Sequence, residues 1–402
     1  MSGPLAGHKV LDFCWIGAGA LVTKALAELG ADVIRVESRT HPDNLRLAPP
    51  FRPGTGGLEA SGYFASRNPG KKSFALNMSR PEAREIALQL ISKVSVVTSN
   101  FRPGVMERWG LSYEEVREVN PEIVYLVMPM QGSDGPHRSF IGFGSTIAAL
   151  GGLVHLSGVP GRIPVGTGTH YPDHVPNPGH SLVGLLAAIL HRARTGEGQR
   201  VELSQLESTV NAIGPAVLAA SAGSQLAAVG NDAPGVVPRG AYRTADDEWV
   251  VVACSSEAQW TALSGVIADD GGDPELRSLP LAEREQQPDR IADAVAGWIS
   301  KLDREEVLRR LNEFGVPNGA VNTSAELLED QNLNVRGFWQ VVDHPVIGEM
   351  PMFSLPFIRD SEPRRPMTRP PLLGEHTWEV ASQLLGMERE RFDSLVAAEV
   401  LY

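Results

Sequence analysis

Cysteine is nearly absent from this chain: among 402 residues there are two, Cys14 and Cys254. Two thiols in apolar, strand-like segments exclude a disulfide framework and a zinc-type spacing. They read as buried free thiols in a reducing, cytoplasmic setting. Positive charge is also scarce, with 36 Lys and Arg against 48 Asp and Glu, a net of −12. That balance argues against a nucleic-acid or anionic-membrane binder, because both need a cationic face. Long apolar runs are missing too. The most apolar stretch, 210–230, is broken by Asn211, Pro215, Ser221, Ser224 and Gln225. It falls short of the ~18 apolar residues of a membrane span and reads as a buried helix. The first ten residues show no basic segment leading into an apolar one, so no signal peptide is expected. Hydrophobic residues at 42% and charged ones at 21% exclude a disordered chain.

What is present is alternation. Residues 9–13 and 31–37 read as strands, with a helix over 18–29 between them that ends at Gly30. Residues 40–70 read as a long ordered loop. A helix over 81–93 with Ser79 as its N-cap, a strand over 94–97, a short helix over 113–119 and a strand over 123–127 follow. Such βαβ order predicts a parallel sheet with ligands at the carboxyl ends of its strands. Residues 181–194 form an apolar helix. Beyond Gly235, a hairpin (241–243 with 249–254) and helices near 256–267, 289–300 and 303–314 predict a smaller α+β domain. Two last helices, 376–385 and 388–398, close the chain. The expected division is a large domain over 1–225, a small domain over 226–335, and a return segment over 336–402 that completes the large one.

Gly17-Ala18-Gly19 after the first strand is part of a dinucleotide fingerprint, with Glu37 at the end of the next strand. Val22 stands where the third glycine belongs, so a tight turn where backbone meets a neighbouring helix is the better reading of the pattern. Between Arg35 and Arg108 twelve basic residues face six acidic ones, a local +6 that leaves −18 for the rest. Such an island suits a phosphate-bearing small ligand; the plainer reading is a solvated face. Lys71 and Lys72 follow a glycine turn just before a strand, a placement that suits phosphate contacts. In the segment 166–180, His170, Asp173, His174 and His180 lie in a proline-interrupted path that does not resemble a metal motif. Gly179-His180-Ser181 lacks the glycine of a nucleophile elbow, because Val183 takes its place. Asp173 is either a partner for a helix dipole or a nucleophile for a covalent acyl intermediate, and the residues alone leave both open.

Several motifs in one order carry a resemblance. They are Val10-Leu-Asp-Phe13, the run from Leu26 to Glu37, Asn68-Pro-Gly-Lys-Lys-Ser73, the run from Asn100 to Leu111, Gly135-Pro136, Arg194-Thr-Gly-Glu-Gly-Gln199 and Leu373-Gly-Glu-His-Thr377. Over about residues 4–386 the chain resembles the class III (family III) CoA-transferases, the carnitine-dehydratase/bile-acid-inducible group. Val36-Glu-Ser38, Ser61-Gly-Tyr-Phe64 and Tyr171-Pro-Asp173 look closest to the branch of benzylsuccinate CoA-transferase.

The resemblance implies an α/β fold: a Rossmann-like large domain with a parallel sheet, a smaller α+β domain, and an interlocked homodimer, with a hetero-oligomer as the alternative. It implies no permanently bound cofactor. The substrates would be coenzyme A as an acyl-CoA and a free carboxylic acid. The family's nucleophilic aspartate falls on Asp173, which would pass through an aspartyl anhydride and an aspartyl–CoA thioester. Ile16, Ala18, Asn100, Phe101 and Arg108 match CoA-site positions, as does Lys71 or Lys72. Arg39 lies one position from a frequent basic contact. Gly17 stands where the formyl-CoA branch has glutamine. Trp15, Gly17, Phe143 and Tyr171 are the expected substrate pocket. A racemase of the same superfamily would need its histidine at Phe143. An NAD-dependent dehydrogenase and a non-catalytic subunit are the alternatives of other classes.

Overall fold

The computed structural model describes residues 3–359 and 364–402. The first half of the chain alternates as its apolar spacing predicts. β1 (Lys9–Phe13) leads into α1 (Ala18–Glu28) and β2 (Asp32–Glu37). Then come α2 (Gly62–Arg67), β3 (Lys72–Ala75), α3 (Pro81–Ile91), β4 (Val96–Ser99), α4 (Val105–Arg108), α5 (Tyr113–Val119) and β5 (Val124–Val127). After α6 (Gly144–Leu150), α7 (Leu153–Leu156), α8 (Tyr171–His174) and α9 (Pro176–Thr195), the chain returns as β6 (Gln199–Glu202), followed by α10 (Gln205–Asn211) and α11 (Gly214–Ser221).

All six strands are parallel, in the order β3-β2-β1-β4-β5-β6. Side chains alternate across the sheet. Leu11, Ile34, Val36 and Val97 pack on one face with Ala83, Ile86 and Leu90 of α3. Val10, Val33, Val96 and Val124 pack on the other with Val22 and Leu26 of α1 and Leu185 of α9. The strand order reverses between β1 and β4, so the crevice outside their carboxyl ends is where such a sheet receives ligands.

A second compact unit comprises His155–Val165 and Leu226–Asp330. Its antiparallel sheet runs β7 (Arg239–Arg243), β8 (Trp249–Ala253), β9 (Asn318–Ala320). Helices α12 (Glu257–Asp269), α13 (Leu281–Arg284), α14 (Pro288–Ile299), α15 (Arg304–Glu313) and α16 (Ser324–Glu329) accompany it. Trp260, Leu263, Ile291, Trp298 and Val307 form its own core. The chain then rejoins the larger unit, which comprises Met1–Val154, Gly166–Gln225 and Gln331–Tyr402. There it forms α17 (Gln331–Val335), the hairpin β10 (Trp339–His344) and β11 (Gly348–Phe353), then α18 (Thr377–Leu385) and α19 (Arg389–Ala397). The mixed α/β fold with a parallel sheet and a smaller α+β unit is the one the alternation pattern implied.

Two local expectations need correction, and one element went unforeseen. The stretch 210–230 is not one buried helix: α10 ends at Asn211, and α11 has no buried residue. Val217 and Leu218 are exposed because α11 lies outside both core clusters that cover the sheet. Ser79 does not cap α3; it bonds Asn77 Oδ1 at 2.6 Å, and Arg80 holds the cap position without a side-chain bond. The hairpin β10–β11 lay unrecognised among prolines and glycines.

Candidate active site

β1 ends at Phe13 and α1 begins at Ala18, so four residues turn the chain over the sheet's carboxyl edge. That turn is held from three sides. Asn100, just past β4, accepts from Trp15 N–H at 2.8 Å and donates to Trp15 C=O at 2.6 Å. Asp43 accepts the Ile16 N–H at 3.0 Å. The Trp15 indole donates to Val36 C=O at 3.1 Å. Ile16 itself has φ of 64°, a left-handed conformation that a β-branched residue adopts only where its surroundings over-determine it.

The loop before α9 delivers Asp173 to the same place. Pro172 sits in the first turn of α8, and the Asp173 N–H bonds His170 C=O at 2.9 Å. The carboxyl group is buried and lies against two glycines. A Cβ on Gly17 would stand 3.0 Å from Asp173 Cβ, and one on Gly144 would overlap Asp173 Oδ2. Only hydrogen at these two positions lets the backbone approach the carboxylate so closely. Burial pushes Asp173 up to about 6, against the pull of His170, the Gly144 N–H and Arg67. A poorly solvated carboxylate is a stronger nucleophile than one in water.

Asp173 opens onto a cavity of about 200 Å³. Ile16, Gly17, Ala18, Asn100, Phe101 and Phe143, all expected site residues, line it with Asp173. A second cavity of about 240 Å³ lies outside β1, β2 and β3, and Phe101 borders both. Phe13, Trp15, Val36, Leu76, Phe101 and Trp109 make most of its wall apolar, and Glu37, Ser38, His41, Asn77 and Ser79 supply the polar part. The Phe101 ring meets Trp15 and Trp109 edge-on at 5.2 and 5.5 Å. A buried carboxylate in one cavity and an aromatic-walled slot beside it suit a long ligand with a flat apolar end.

The structure brings the remaining candidates together only in part. Trp15 lines the aromatic cavity, not the one around Asp173. Tyr171 starts α8 and borders neither. Arg39 is exposed with its guanidinium 5.9 Å from the Tyr402 ring centre, beside Ser38, which does line the aromatic cavity. Arg108 is likewise exposed, next to Trp109.

Lys71 and Lys72 enter β3 from its amino end, and neither lines the two cavities. Lys71 is buried, with Ala20 C=O, Thr23 Oγ1, Asn68 Oδ1 and Asp12 Oδ2 at 2.7–3.3 Å from its ammonium. Burial pulls it down to about 8, partly countered by Asp12. Its donors are all engaged inside the fold. Lys72 begins β3, so it sits at the amino ends of the strands, ion-paired to Asp32 and Glu379 at 3.3 and 3.2 Å.

The basic island therefore splits. Four of its twelve cations, Arg35, Arg46, Arg67 and Lys71, are buried. Arg35 donates to Glu37 at 3.2 Å, to Cys14 C=O and to Asp43; Arg46 grips Glu37 at 2.8 and 2.9 Å. Burial raises Glu37, but Arg35 and Arg46 outweigh it and leave it at about 2. Glu37 is thus an internal ion-pair partner with no free carboxylate for a ribose. Sequence reasoning missed Asp43, the holder of Ile16, and Arg138, Met130 and Gln205, which line the Asp173 cavity. Arg138 lies two residues beyond the Gly135-Pro136 motif, the nearest signal.

The model of CoA-transferase family III matches residues 5–377. This chain belongs to that family. It is 31% identical to the succinyl-CoA–L-malate CoA-transferase beta subunit of Chloroflexus aurantiacus, over 99% of this chain and 98% of that one. It is 33% identical to the succinyl-CoA:mesaconate CoA-transferase of Haloarcula marismortui, over 95% and 96%. A CaiB/BaiF family protein from Brucella suis has the same fold, with a TM-score of 0.86 and 27% identity over 96% of this chain and all of that one. The family III CoA-transferase is an enzyme whose substrates are CoA thioesters. No described helix is long and apolar enough to cross a membrane.

Proposed function

We propose that this enzyme moves CoA from an acyl-CoA to a free carboxylic acid, with Asp173 as nucleophile. The observation that carries the reading is a carboxylate, buried between two glycines, on the wall of a cavity at the switch point of the sheet. An Asp173 oxygen attacks the thioester carbonyl. The C–S bond breaks, CoA leaves as thiolate, and a mixed aspartyl–acyl anhydride forms. The thiolate attacks the Asp173 carbonyl carbon, releasing the first acid and leaving an aspartyl–CoA thioester. The second acid attacks that carbonyl to give a new anhydride and free thiolate. Attack of the thiolate on the new acyl carbonyl yields the product thioester and restores Asp173. Each step exchanges one activated acyl bond for another, so a dry site conserves the free energy of the thioester.

In this reading Ile16, Ala18, Asn100 and Phe101 run along the CoA chain, the aromatic cavity takes the adenine, and the exposed Arg39 and Arg108 meet phosphates. Gly17 and Phe143 shape the acyl side. Phe143 carries no exchangeable proton, which disfavours the racemase chemistry. The relatives' names carry short dicarboxylic acids, and we extend that class to this enzyme. The exposed apolar α11 supports an association with a second chain, an interlocked homodimer in this reading.

The test is trapping. The enzyme is mixed with succinyl-CoA and quenched with hydroxylamine or borohydride, and mass spectrometry locates the modified residue. Modification at Asp173, and its loss in Asp173→Ala together with transfer, is expected. An unmodified Asp173 with transfer intact in the Ala variant would sink the mechanism.

A further inference from the structure

Arg67 closes α2 and is buried, with 8% of its surface exposed. The groups packed directly on it are neutral. Nη2 donates to His174 Nε2 at 2.9 Å. The guanidinium carbon lies 5.1 Å from the Tyr63 ring centre and 5.7 Å from that of Phe353. Nε is a buried donor with no acceptor. Among the described residues no acidic side chain forms an ion pair with it. Burial pulls its affinity for the proton down, and burial followed by the charge of Arg67 takes His174 down to about 4.

The surrounding bonds preset this cation to be a donor. Arg67 cannot accept, so His174 Nε2 must be the acceptor and Nδ1 carries the ring proton. Nδ1 lies 3.0 Å from Thr169 Oγ1, which accepts a hydrogen bond from it. The Tyr63 hydroxyl lies 3.5 Å from the same Nε2. The imidazole therefore orients Arg67 without neutralising it. The other cations on this part of the chain differ: Arg35, Arg46 and Lys71 each contact at least one carboxylate. A buried guanidinium with a spare N–H and no carboxylate in ion-pair contact among the described residues is costly in an empty fold, and an anion that arrives with substrate offsets that cost.

Its place relates it to the reacting group. His174, which Arg67 holds, is the residue after Asp173. The electrostatic influence of Arg67 reaches Asp173 as well.

We propose that Arg67, oriented by His174 and Tyr63, receives the distal carboxylate of a dicarboxylic substrate while its other carboxyl group reacts at Asp173. The assignment rests on the transferase reading for the identity of the reacting carboxyl. It adds the residue that selects diacids over monoacids. The guanidinium fork accepts a carboxylate through paired N–H donors, which a lysine ammonium cannot match.

Binding is measured by calorimetry with succinate and with butyrate, which differ by the one distal carboxylate, on the wild type, Arg67→Met and Arg67→Lys. The wild type should bind succinate at least tenfold more tightly than butyrate. Arg67→Met should weaken succinate at least tenfold while moving butyrate less than threefold, and Arg67→Lys should recover part of the loss. In turnover the same variants should raise the KM for diacids more than they lower kcat. Equal losses for both acids would mean that Arg67 only supports the local fold, and no preference for succinate in the wild type would overturn the proposal outright. Should Arg67→Met not fold, the Lys variant and the wild-type comparison decide it. Selective succinate binding without any CoA transfer would refute the transferase reading and leave this one standing.

Discussion

Replacing Asp173 by Asn should make the protein more stable while it destroys transfer. The side chain keeps its shape and loses its charge. Asp173 is raised from an ordinary 3.8 to about 6, chiefly by burial. A rise of that size is worth about 3 kcal/mol, at about 1.4 kcal/mol for each tenfold change in proton affinity. The sign follows from linkage. The folded state holds the proton more tightly than the unfolded chain. Ionising Asp173 therefore costs stability as pH rises from about 4 through about 6, and the full penalty is present above that. The neutral amide of the Asp173→Asn variant carries no such penalty. Urea unfolding, followed on the transition of the larger unit, should show Asp173→Asn about 2–3 kcal/mol more stable at pH 8. The gap should close towards pH 4. Transfer by the wild type should rise with pH through about 6, because the nucleophile must be ionised. Equal stability of the two proteins at pH 8 would show that the carboxylate is not desolvated. Its nucleophilicity would then lack a physical basis.

Three further outcomes separate structure from chemistry. Lys71→Met removes the nearer of the two buried cations on Asp12 and leaves Arg35 at 3.9 Å, so stability should fall by about 1–3 kcal/mol in a denaturant series, while CoA affinity of the folded protein stays within threefold. Asp43→Ala removes the acceptor for Ile16 N–H and one carboxylate partner of Arg35; calorimetry should show CoA binding at least tenfold weaker, and Asp43→Asn should restore part of it. Gly144→Ala puts a methyl group against Asp173 Oδ2, whereas a Cβ on Gly179 meets nothing within 4 Å. The first should lose transfer with its circular dichroism unchanged, and the second should keep full activity and gain up to about 1 kcal/mol in a helix.

Much of the fold was legible because strands and helices obey local periods. The run Ala-Asp-Val-Ile-Arg-Val-Glu (31–37) reads as a strand whatever surrounds it, and the structure makes it β2. The helix over 18–29 carries its own stop at Gly30, which has φ of 105°. Asp173 was legible as a lone carboxylate in an irregular loop, and its neighbours along the chain marked it. Phe101 and Asn100 follow a strand, where the sheet geometry puts ligand contacts. The lysines were not legible. Lys71 and Lys72 are adjacent in sequence, yet one turns into the fold towards Asp12 and the other outward to Asp32 and Glu379. A strand alternates its faces, and nothing local says which face is dry.

By itself, then, the sequence determined the alternation of elements, the parallel sheet and the family, and it marked Asp173 as a candidate. These rest on periodicity and on motifs that neighbouring residues complete. Tertiary structure alone decided which charges are available. A surplus of six cations between Arg35 and Arg108 looked like one phosphate-binding field. The fold commits Arg35, Arg46 and Lys71 to Asp12, Glu37, Asp43 and Glu59, and among the described residues leaves Arg67 buried with no carboxylate in ion-pair contact and its Nε without an acceptor. The reason is physical. A residue's charge is written in its side chain, but its partner and its solvation come from segments tens of residues away. Burial also sets the proton affinity of Asp173, and that depends on Gly17 and Gly144 arriving from two distant turns.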